Sequence, residues 1–369
     1  MNIKGEARYQ RQMLLKDFGY AGQEKLFKAK VLVIGAGGLG CPVLQYLAAA
    51  GIGTLGIVDN DVIELSNLHR QILYTVADVG LSKADCAAER LKKFNPDITV
   101  KSYPVQLNNQ NAIAILQEYD MVIDGSDNFP TRYMINDACV LLDKPLIYAA
   151  LSESEGQVSV FNVAGPDGVK VNYRDLFPAA PRPGEVLNCS EAGVLGVLPG
   201  IIGTMQANEA IKLISGIGEP LISQLMIYNL YTSQTYKIRL SPAGQTKTDL
   251  PGNLESFSKM NYDWFCGIKQ NTGEVKEMSP GEFRAVAGDE SFTIIDVREP
   301  GELPAASGFS YLSLPLSAIR EEIPQVEGNK VILFCHSGIR SIIAGELLLE
   351  AYPDKEFYSL KGGVLRLDS

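Results

Sequence analysis

The stretch VLVIGAGGLG places glycines at positions 35, 37, 38 and 40 directly after an apolar run that predicts a buried strand. Glycine lets the backbone turn sharply and approach a phosphate group, whose charge then lies near the N–H groups that open the following helix. Residues 41–50 have the length and composition of that helix, and residues 55–58 predict a second strand. This strand–loop–helix–strand unit requires a parallel sheet that is covered on both faces.

The glycine loop and the acidic residue after the second strand together predict a nucleotide site. Gly35, Gly37, Gly38 and Gly40 form the loop, and Asp59 lies where a carboxylate would hold ribose hydroxyls. The alternative is a glycine turn that only packs a helix against a sheet, and the surrounding elements favour nucleotide binding. The glycine pattern alone does not distinguish NAD from ATP.

The order of elements predicts two domains of α/β class. Residues 1–240 alternate short apolar strands with helices, which predicts a Rossmann-like, doubly wound sheet. Within them, the Pro- and Gly-rich residues 165–190 predict a long mobile loop. Residues 241–276 are polar and are interpreted as a linker that docks at one point, through the aromatic residues 262–265. A small α/β pattern occupies residues 277–369.

Charge and composition exclude several classes of protein. The net charge of -10 argues against nonspecific nucleic-acid binding, which depends on clustered Lys and Arg. The polar N-terminus MNIKGEARYQRQ does not have the pattern of a signal peptide. Glycines and a proline interrupt the uncharged residues 31–58, so no membrane span is predicted. Six scattered cysteines without a CxxC pair indicate reduced thiols and a cytoplasmic protein.

Polar side chains follow the glycine loop at the ends of the predicted elements, in DNDVIELSNLHRQ, GLSKA and DGSDNFPTR. A dehydrogenase binds its diphosphate through backbone amides, whereas several cations with a carboxylate fit a triphosphate and Mg²⁺. A nicotinamide-dependent oxidoreductase is the alternative from the glycine loop, and each side chain alone is more often a solvated surface charge. The candidate ligands are Asn67, Arg70, Gln71, Lys83, Asp127 and Asn128.

These segments resemble the ubiquitin-activating-like family of MoeB, ThiF and HesA proteins. Further matching stretches are RYQRQ, NCSEAGVLGVLPGIIGTMQANEAIKLI and YNLYTSQTYKIRL, so the resemblance covers residues 8 to about 240. It implies ATP-dependent adenylylation of the C-terminal carboxylate of a small ubiquitin-like sulfur carrier that ends in Gly-Gly. Pyrophosphate would be released, and the enzyme would be a homodimer.

The same resemblance implies a role for individual side chains. Asp59 would hold the ribose, Lys83 the phosphate under attack, and Asp127 the Mg²⁺ ion. Arg11 would reach in from the partner subunit. No general base is required, because the nucleophile is already an ionised carboxylate. The triphosphate would be contacted by Arg70 and Asn67.

In the family, a loop crosses over the tail of the carrier, and Cys189 and the missing zinc-binding cysteines both bear on this loop. Cys189 matches a family cysteine there, and it would attack the acyl-adenylate or serve as a perthiol or disulfide partner in sulfur transfer. The alternative is an inert apolar residue. Many relatives carry two CxxC pairs that bind zinc. This chain has Asn172 and Asp175 where the first pair would fall and no second pair, so no structural zinc is predicted.

The C-terminal segments TIIDVREPGEL and CHSGIR resemble a rhodanese-like sulfurtransferase domain. Cys335 follows a strand and precedes a helix, so its thiol would face backbone N–H groups that favour the thiolate. Arg340 would hold the loop or a bound anion, and Asp296 would support the loop. The alternative is a buried cysteine at a strand end. Residues 303–313 depart from the usual glycine and histidine pattern, which leaves the bracing of the loop open.

We therefore expect an adenylyltransferase fused to a sulfurtransferase. ATP would convert the carrier's carboxylate into an acyl-adenylate, and a persulfide on Cys335 would displace AMP to give a thiocarboxylate. The persulfide needs a sulfur donor such as a cysteine desulfurase. Molybdopterin biosynthesis is the favoured pathway. The alternatives are thiamine synthesis or other sulfur-carrier activation, and a non-catalytic scaffold that binds a carrier.

Overall fold

The computed structural model describes most of the chain as two compact units. The first unit ends at residue 266, and the second contains the described residues from 275 onward. No helix in the described part of the chain is long and apolar enough to cross a membrane. Cys189 lies outside the described residues, so its predicted role stays a prediction. The described ranges are 6–178, 193–242, 250–266, 275–289, 291–304, 306–352 and 354–367.

The first unit is built around one eight-stranded sheet. Its strands are β1 (Lys30–Ile34), β2 (Thr54–Val58), β3 (Thr99–Tyr103), β4 (Met121–Asp124), β5 (Leu146–Ser152), β6 (Glu155–Phe161), β7 (Gln224–Asn229) and β8 (Thr235–Arg239). The strand order is β3-β2-β1-β4-β5-β6-β7-β8, parallel from β3 to β5 and antiparallel from β5 to β8. The predicted doubly wound parallel sheet is confirmed, and an antiparallel extension is added to it.

Helices cover both faces of this sheet. The helices are α1 (Glu6–Met13), α2 (Gly19–Lys28), α3 (Gly40–Ala50), α4 (Lys83–Phe94), α5 (Ala112–Leu116), α6 (Phe129–Leu141), α7 (Tyr173–Leu176), α8 (Val197–Ser215), α9 (Leu254–Lys259) and α10 (Tyr262–Phe265). In β1, Val31 and Val33 join the core that contains Leu44 of α3, whereas Leu32 joins the core that contains Tyr133 of α6. Both faces are buried, which explains why β1 reads as a continuous apolar run.

The prediction of a mobile loop for residues 165–190 is wrong over α7. Tyr173 and Arg174 in this short helix are completely buried. The side chain of Asn172 caps the helix by accepting a hydrogen bond from the N–H of Arg174 at 2.9 Å. The proline and glycine content of the segment predicts a mobile backbone. The packing of Tyr173 against Tyr133 and Tyr148 instead holds α7 in place.

A buried polar network ties α6, α7 and α10 together. Arg174 donates two hydrogen bonds to Asp137, from Nε and Nη2 and each 2.7 Å long, and neither side chain is exposed to solvent. Tyr262 Oη donates to the same carboxylate at 2.9 Å. Phe257 of α9 is also buried in this region. Phe257 and Tyr262 therefore hold residues 254–266 within the first unit through aromatic and polar contacts.

We expect Arg174→Met to destabilise the first unit by about 3–5 kcal/mol, because it leaves the carboxylate of Asp137 buried without its cation. Urea unfolding followed by circular dichroism measures the change. Lys101→Met is the matched control, since it breaks the ion pair of Lys101 with Glu118, whose side chains are about half exposed. The control should leave the unfolding midpoint nearly unchanged. Equal effects of the two substitutions would contradict the assignment of Arg174 to a buried network.

The second unit contains a parallel five-stranded sheet. The strands are β9 (Val275–Met278), β10 (Phe292–Asp296), β11 (Leu312–Ser313), β12 (Lys330–Phe334) and β13 (Glu356–Leu360), in the order β11-β10-β12-β13-β9. The helices are α11 (Pro280–Val286), α12 (Leu316–Glu321) and α13 (Ile339–Ala351). Phe283 of α11 packs in one core, and Ile319 and Leu348 of the other two helices pack in a second. Two such cores flanking a sheet are typical of a small α/β domain, as predicted.

Candidate active sites

The glycine loop lies at the point where the strand order of the first sheet reverses. β1 has β2 on one side and β4 on the other, and all three strands run parallel. Their carboxyl ends therefore share one edge, which brings Gly35, Asp59 and Gly125 to the same region. Ligands of open α/β sheets bind at this position.

Two glycines of the loop are required by close backbone approaches. Gly35 has φ +91°, and a Cβ atom added there would lie 2.6 Å from the carbonyl oxygen of Gly125. A Cβ atom at Gly40 would lie 1.9 Å from the carbonyl oxygen of Gly35. Gly37 differs, because a Cβ atom there would meet Gln71 Nε2 at 3.7 Å. The loop thus folds tightly on itself while leaving space beside Gly37.

Asp59 is fixed directly under the glycine loop. Its Oδ2 accepts a hydrogen bond of 2.7 Å from the N–H of Ala36, and its Oδ1 accepts one of 2.8 Å from the N–H of Asp61. Burial raises the pKa of the Asp59 carboxyl above its ordinary value, and the positive charge of Lys83 opposes that shift. The structure thus places Asp59 at the end of β2 beside the glycine loop, and its role toward ribose hydroxyls stays a prediction.

Lys83 is the first residue of α4 and is nearly buried, with 7% of its side chain exposed. Its Nζ lies 2.8 Å from Asp61 Oδ2. Tyr74 Oη lies within hydrogen-bonding distance of the carbonyl oxygens of Ala36 and Lys83, at 2.9 and 3.2 Å, and so joins the start of α4 to the glycine loop. The fold therefore places this lysine beside the loop. Asp61, its ion-pair partner, is a site residue that the sequence analysis did not select, although it belongs to the DND motif.

Asn67 and Arg70 lie on the turn between β2 and α4. Asn67 is buried, and its Oδ1 accepts a hydrogen bond of 3.1 Å from the N–H of Glu64. This contact shapes the turn, so Asn67 has a structural role in addition to any contact with phosphate. Arg70 is half-buried, and its Nη1 donates to the carbonyl oxygen of Ser66 at 3.1 Å.

Gln71 provides a direct test of whether a ligand fits this site. Only 3% of the residue is exposed, and its Oε1 has no hydrogen-bond partner among the described residues. A buried acceptor without a partner costs about 1–3 kcal/mol. Since its Nε2 would lie 3.7 Å from a Cβ atom added at Gly37, a ligand bound against the loop there would reach this side chain.

The turn after β4 presents Asp127 to solvent. The side-chain oxygen of Asn128 caps α6, so this atom is already engaged. Asp124 Oδ1 accepts from the N–H and the hydroxyl of Ser126 at 2.9 and 2.6 Å, and Arg132 Nη2 donates to the carbonyl oxygen of Ser126 at 3.2 Å. Asp124 and Arg132 thus hold the turn that carries Asp127. Within the described ranges, no group of three or more His, Cys, Asp or Glu residues could hold a metal ion.

Arg11 is not brought to the other predicted cations within one chain. It lies on α1, two residues after Tyr9, whose Oη accepts a hydrogen bond of 2.7 Å from Asn95 at the C-terminal end of α4. Lys83 lies at the opposite end of that helix, about 18 Å away for twelve residues. The action of Arg11 at the site of a partner subunit stays a prediction.

Cys335 lies between β12 and α13 in the second unit. Its side chain is completely buried, and Sγ accepts a hydrogen bond of 3.1 Å from the N–H of Gly338. The hydroxyl of Ser341 lies 3.6 Å from Sγ and 2.8 Å from the hydroxyl of Ser359. One backbone N–H thus donates to the sulfur, and a serine hydroxyl lies beside it, in a loop of the kind that favours a reactive thiol. Ser359 was not predicted, because only the pairing of β12 with β13 brings it close.

Two arginines of the second unit are buried, and each is paired with a carboxylate. Arg340 donates two hydrogen bonds to Glu302, 2.6 and 2.7 Å long. Arg298 pairs with Asp296 at 2.6 Å and donates to the carbonyl oxygen of Pro304 at 2.7 Å. The pair of Arg340 with Glu302 joins the end of the thiol loop to the segment after β10, where the usual family pattern is missing. Glu302 and Arg298 were not selected from the sequence.

The other described cysteines are also buried free thiols. Burial raises the pKa of Cys41 and that of Cys266 to about 12, so both remain protonated at neutral pH. Cys41 also has hydrogen-bonding groups beside it, the backbone of Leu73 and the hydroxyl of Tyr74. What distinguishes Cys335 from both residues is its position on the loop between β12 and α13.

The fold and both sites define a nucleotide-binding α/β protein of the activating-enzyme type with a thiol-loop domain on the same chain. The model of the ThiF family matches residues 9–249, and the chain belongs to the ThiF family. Its fold is similar to that of the crystal structure of E. coli MccB, with a TM-score of 0.56 and 23% identity over 67% of this chain and 73% of that one.

Curated relatives extend the likeness to the second unit. The chain is 41% identical over 347 residues to the probable adenylyltransferase/sulfurtransferase MoeZ of Mycobacterium tuberculosis, covering 91% of this chain and 86% of the relative. It is 37% identical over 380 residues to the adenylyltransferase and sulfurtransferase MOCS3 of Drosophila virilis, covering 99% and 83%. It is also 49% identical over 265 residues to the sulfur carrier protein adenylyltransferase of Thermus thermophilus, covering 71% and 97%. Its relatives are thus adenylyltransferases, several of them with a sulfurtransferase name as well.

Proposed function

We propose that this protein uses ATP to adenylylate the C-terminal glycine carboxylate of a ubiquitin-like sulfur carrier and then converts it into a thiocarboxylate. The observation that carries the first step is the position of Lys83, nearly buried between the glycine loop and Asp61. A dehydrogenase binds its diphosphate through backbone amides and does not require a buried lysine beside it. A cation held there is what attack on a phosphate requires.

The need for this cation follows from the charges of the reactants. A carboxylate approaching a phosphate brings like charges together, at a cost of about 4 kcal/mol for one pair at 4 Å and an effective dielectric of 20. Uncompensated, that cost would slow the attack by roughly three orders of magnitude. Lys83 and Arg70 offset it and stabilise the departing pyrophosphate, while Asp59 orients the ribose. Gln71 supplies a buried acceptor to the bound nucleotide.

A metal ion and a second subunit would complete this site. Mg²⁺, when bound, supplies positive charge to the phosphates, and the exposed carboxylate of Asp127 would hold it. The contact of Tyr9 on α1 with the end of α4 opposite Lys83 supports a homodimer in which Arg11 of each chain completes the site of the other. We expect the protein to act in the cytoplasm, in line with its free thiols.

The second step takes place at Cys335. A persulfide donor, such as a cysteine desulfurase, transfers its outer sulfur to the Cys335 thiolate and is left as a thiol. The new outer sulfur attacks the acyl carbon of the adenylate, the bond to phosphate oxygen breaks, and AMP leaves. A second thiol then cleaves the sulfur–sulfur bond, which releases the thiocarboxylate and leaves a disulfide to Cys335. Cys189 is the candidate for that thiol, and a thiol reductant restores both cysteines.

Molybdopterin biosynthesis is the pathway that we favour for the carrier, with thiamine synthesis or other sulfur-carrier activation as the alternative. Names of adenylyltransferase/sulfurtransferase relatives support the reaction class, and they leave the identity of the carrier to experiment. A non-catalytic scaffold would bind a carrier without turnover.

ATP–pyrophosphate exchange with a Gly-Gly-ending carrier tests the first step. We expect exchange to require the carrier and to fall about 10²- to 10³-fold in Arg70→Ala, because a cation at the triphosphate is lost. Arg90→Ala is the matched control, since Arg90 lies on α4 and pairs with Asp78 away from the glycine loop. If no exchange occurred with any of several carriers, despite measurable ATP binding, the enzymatic proposal would be wrong and a non-catalytic scaffold would be favoured.

A further inference from the structure

Two buried serine hydroxyls lie behind the thiol of Cys335. Ser341 on α13 is completely buried, and Ser359 on β13 is 1% exposed. The Ser341 hydroxyl oxygen lies 3.6 Å from Cys335 Sγ, and the two serine oxygens lie 2.8 Å apart. A buried hydroxyl is costly unless it is hydrogen-bonded. These two hydroxyls meet that need by bonding to each other, next to the sulfur.

The backbone holds the thiol loop tightly against the end of β13. β12 pairs with β13, so the strand end that leads into Cys335 lies beside Ser359. The N–H of Val364, after β13, donates to the carbonyl oxygen of Cys335 at 2.9 Å. A Cβ atom added at Gly338, which has φ +94°, would lie 2.9 Å from the N atom of Gly362. The distances between the sulfur and the two hydroxyls are therefore set by the backbone.

The Ser341 hydroxyl has one proton and two acceptors within reach. One acceptor is the carbonyl oxygen of Gly338, at 3.0 Å, and the other is Cys335 Sγ. The Ser359 hydroxyl likewise reaches Ser341 Oγ and, at 3.4 Å, the same carbonyl oxygen of Gly338. Ser359 is thus placed to donate to that carbonyl whenever Ser341 turns its proton to the sulfur.

We infer that Ser359 is a positioning residue for Cys335, which frees the hydroxyl of Ser341 to donate to the sulfur when the sulfur is ionised. With a neutral thiol, Ser359 donates to Ser341, and Ser341 donates to Gly338. When the thiol loses its proton to solvent, Ser341 turns to Sγ and Ser359 takes its place at Gly338. Two hydroxyl hydrogen bonds are retained, and the thiolate gains a second donor beside the N–H of Gly338.

This exchange of partners bears on the reactive form of Cys335. The thiolate is the nucleophile that takes up sulfur in the proposed reaction, so a donor that turns to the ionised sulfur increases its population. A hydrogen bond to a charged group is about twice as strong as one between neutral groups. Ser359 contacts Ser341 and Gly338, so its effect on the sulfur passes through Ser341.

The titratable and charged groups around the loop are the same in all the variants that test this inference. Differences in reactivity between the variants therefore report the serine hydroxyls. These groups are His336 in the loop, Arg366 in the turn after β13, and the ion pairs of Arg340 with Glu302 and of Arg298 with Asp296.

The rate of alkylation of Cys335 by iodoacetamide tests the inference, measured on the full chain by mass spectrometry of the peptide that contains Cys335. In Ser359→Ala the rate at neutral pH should fall about three- to tenfold, the effect of one hydrogen bond. Near pH 10, where an ordinary thiol is largely ionised, the rate should stay within about twofold of the wild type. An equal loss at both pH values would indicate changed access to the sulfur and would overturn the inference.

A double-mutant cycle distinguishes positioning through Ser341 from a separate effect of Ser359. Ser341→Ala should lower the rate at neutral pH at least as much as Ser359→Ala, and Ser341→Ala/Ser359→Ala should lower it no further. Ser359→Thr keeps the hydroxyl, whereas Ser359→Val has nearly the same shape without it. Ser359→Thr should therefore react about three- to tenfold faster than Ser359→Val at neutral pH. Additive effects in the cycle, or equal rates in Ser359→Thr and Ser359→Val, contradict the inference.

Ser279→Ala is the control for a loss of stability. Ser279 caps α11, where its hydroxyl oxygen accepts a hydrogen bond of 3.3 Å from the N–H of Glu282. Its removal weakens α11 but leaves the hydroxyls beside Cys335 in place, so the alkylation rate should not change. The inference is wrong if a folded Ser359→Ala reacts like the wild type at neutral pH, or if the wild type is no more reactive there than Ser341→Ala.

This inference rests on the proposed role of Cys335 in sulfur transfer, but alkylation requires no ATP, carrier or sulfur donor. The two proposals can therefore fail separately. If the wild type formed no thiocarboxylate while the alkylation rates followed the expected pattern, the proposed function would be wrong and the assignment of Ser359 would stand.

Discussion

Cys335→Ala should abolish formation of the thiocarboxylate while leaving carrier-dependent ATP–pyrophosphate exchange unchanged. The thiol is the only group of the CHSGIR loop that can carry a persulfide, and removal of a nucleophile costs about three orders of magnitude or more. The residues proposed for the exchange reaction, in the glycine loop and at Asp59 and Lys83, belong to the first unit. Mass spectrometry of the carrier, with ATP and a desulfurase present, measures the thiocarboxylate.

The control for Cys335→Ala removes a buried thiol elsewhere. Cys139→Ala, on α6, takes away a side chain that is equally buried but lies in the apolar core of the first unit. It should retain thiocarboxylate formation. Undiminished formation by Cys335→Ala would show that sulfur does not pass through this loop, and it would make Cys189 the next residue to test.

Lys83→Met should reduce carrier-dependent exchange by about 10²- to 10³-fold, the loss expected for one preorganised charge at the reacting phosphate. Methionine keeps most of the apolar stem that is buried at the start of α4, so the fold should be retained. Binding of ATP should weaken less than turnover falls, because the charge matters most when the carboxylate attacks. Exchange kinetics and equilibrium ATP binding, measured on the same preparation, separate the two effects.

Lys93→Met is the control for Lys83→Met on the same helix. Lys93 lies in the last turn of α4, about three-quarters exposed, and forms an i,i+4 ion pair with Glu89. Its substitution should leave exchange unchanged. If Lys83→Met and Lys93→Met behaved alike, or if Lys83→Met lowered binding and turnover equally, Lys83 would be only a binding residue.

The polar contacts of two predicted site residues could not be predicted from the sequence. Asn67 and Asn128 belong to the right turns, but their side-chain oxygens accept backbone hydrogen bonds of those same turns. A short polar side chain near a helix start serves equally well as a cap or as a ligand contact. The motif alone cannot decide between these roles, since both require the same residue types in the same places.

What the sequence determined by itself is the backbone architecture around the nucleotide loop. Strands, helices and the glycine turn depend on local periodicity and on backbone conformations that few residues can adopt, and both are written in consecutive residues. The doubly wound sheet, the loop at Gly35 to Gly40 and the thiol loop at Cys335 all follow from such patterns. The family resemblance rests on the same stretches.

What only the tertiary structure decided is which charges meet. Arg174 and Asp137 are 37 residues apart in the chain, and Arg340 and Glu302 are 38 apart. The separation of Arg11 from Lys83 likewise depends on how α1 packs at the far end of α4. A side-chain ion pair needs atoms within about 4 Å, and that proximity is set by the packing of whole elements. No periodicity or spacing encodes it, so Glu302 became visible only in the folded chain.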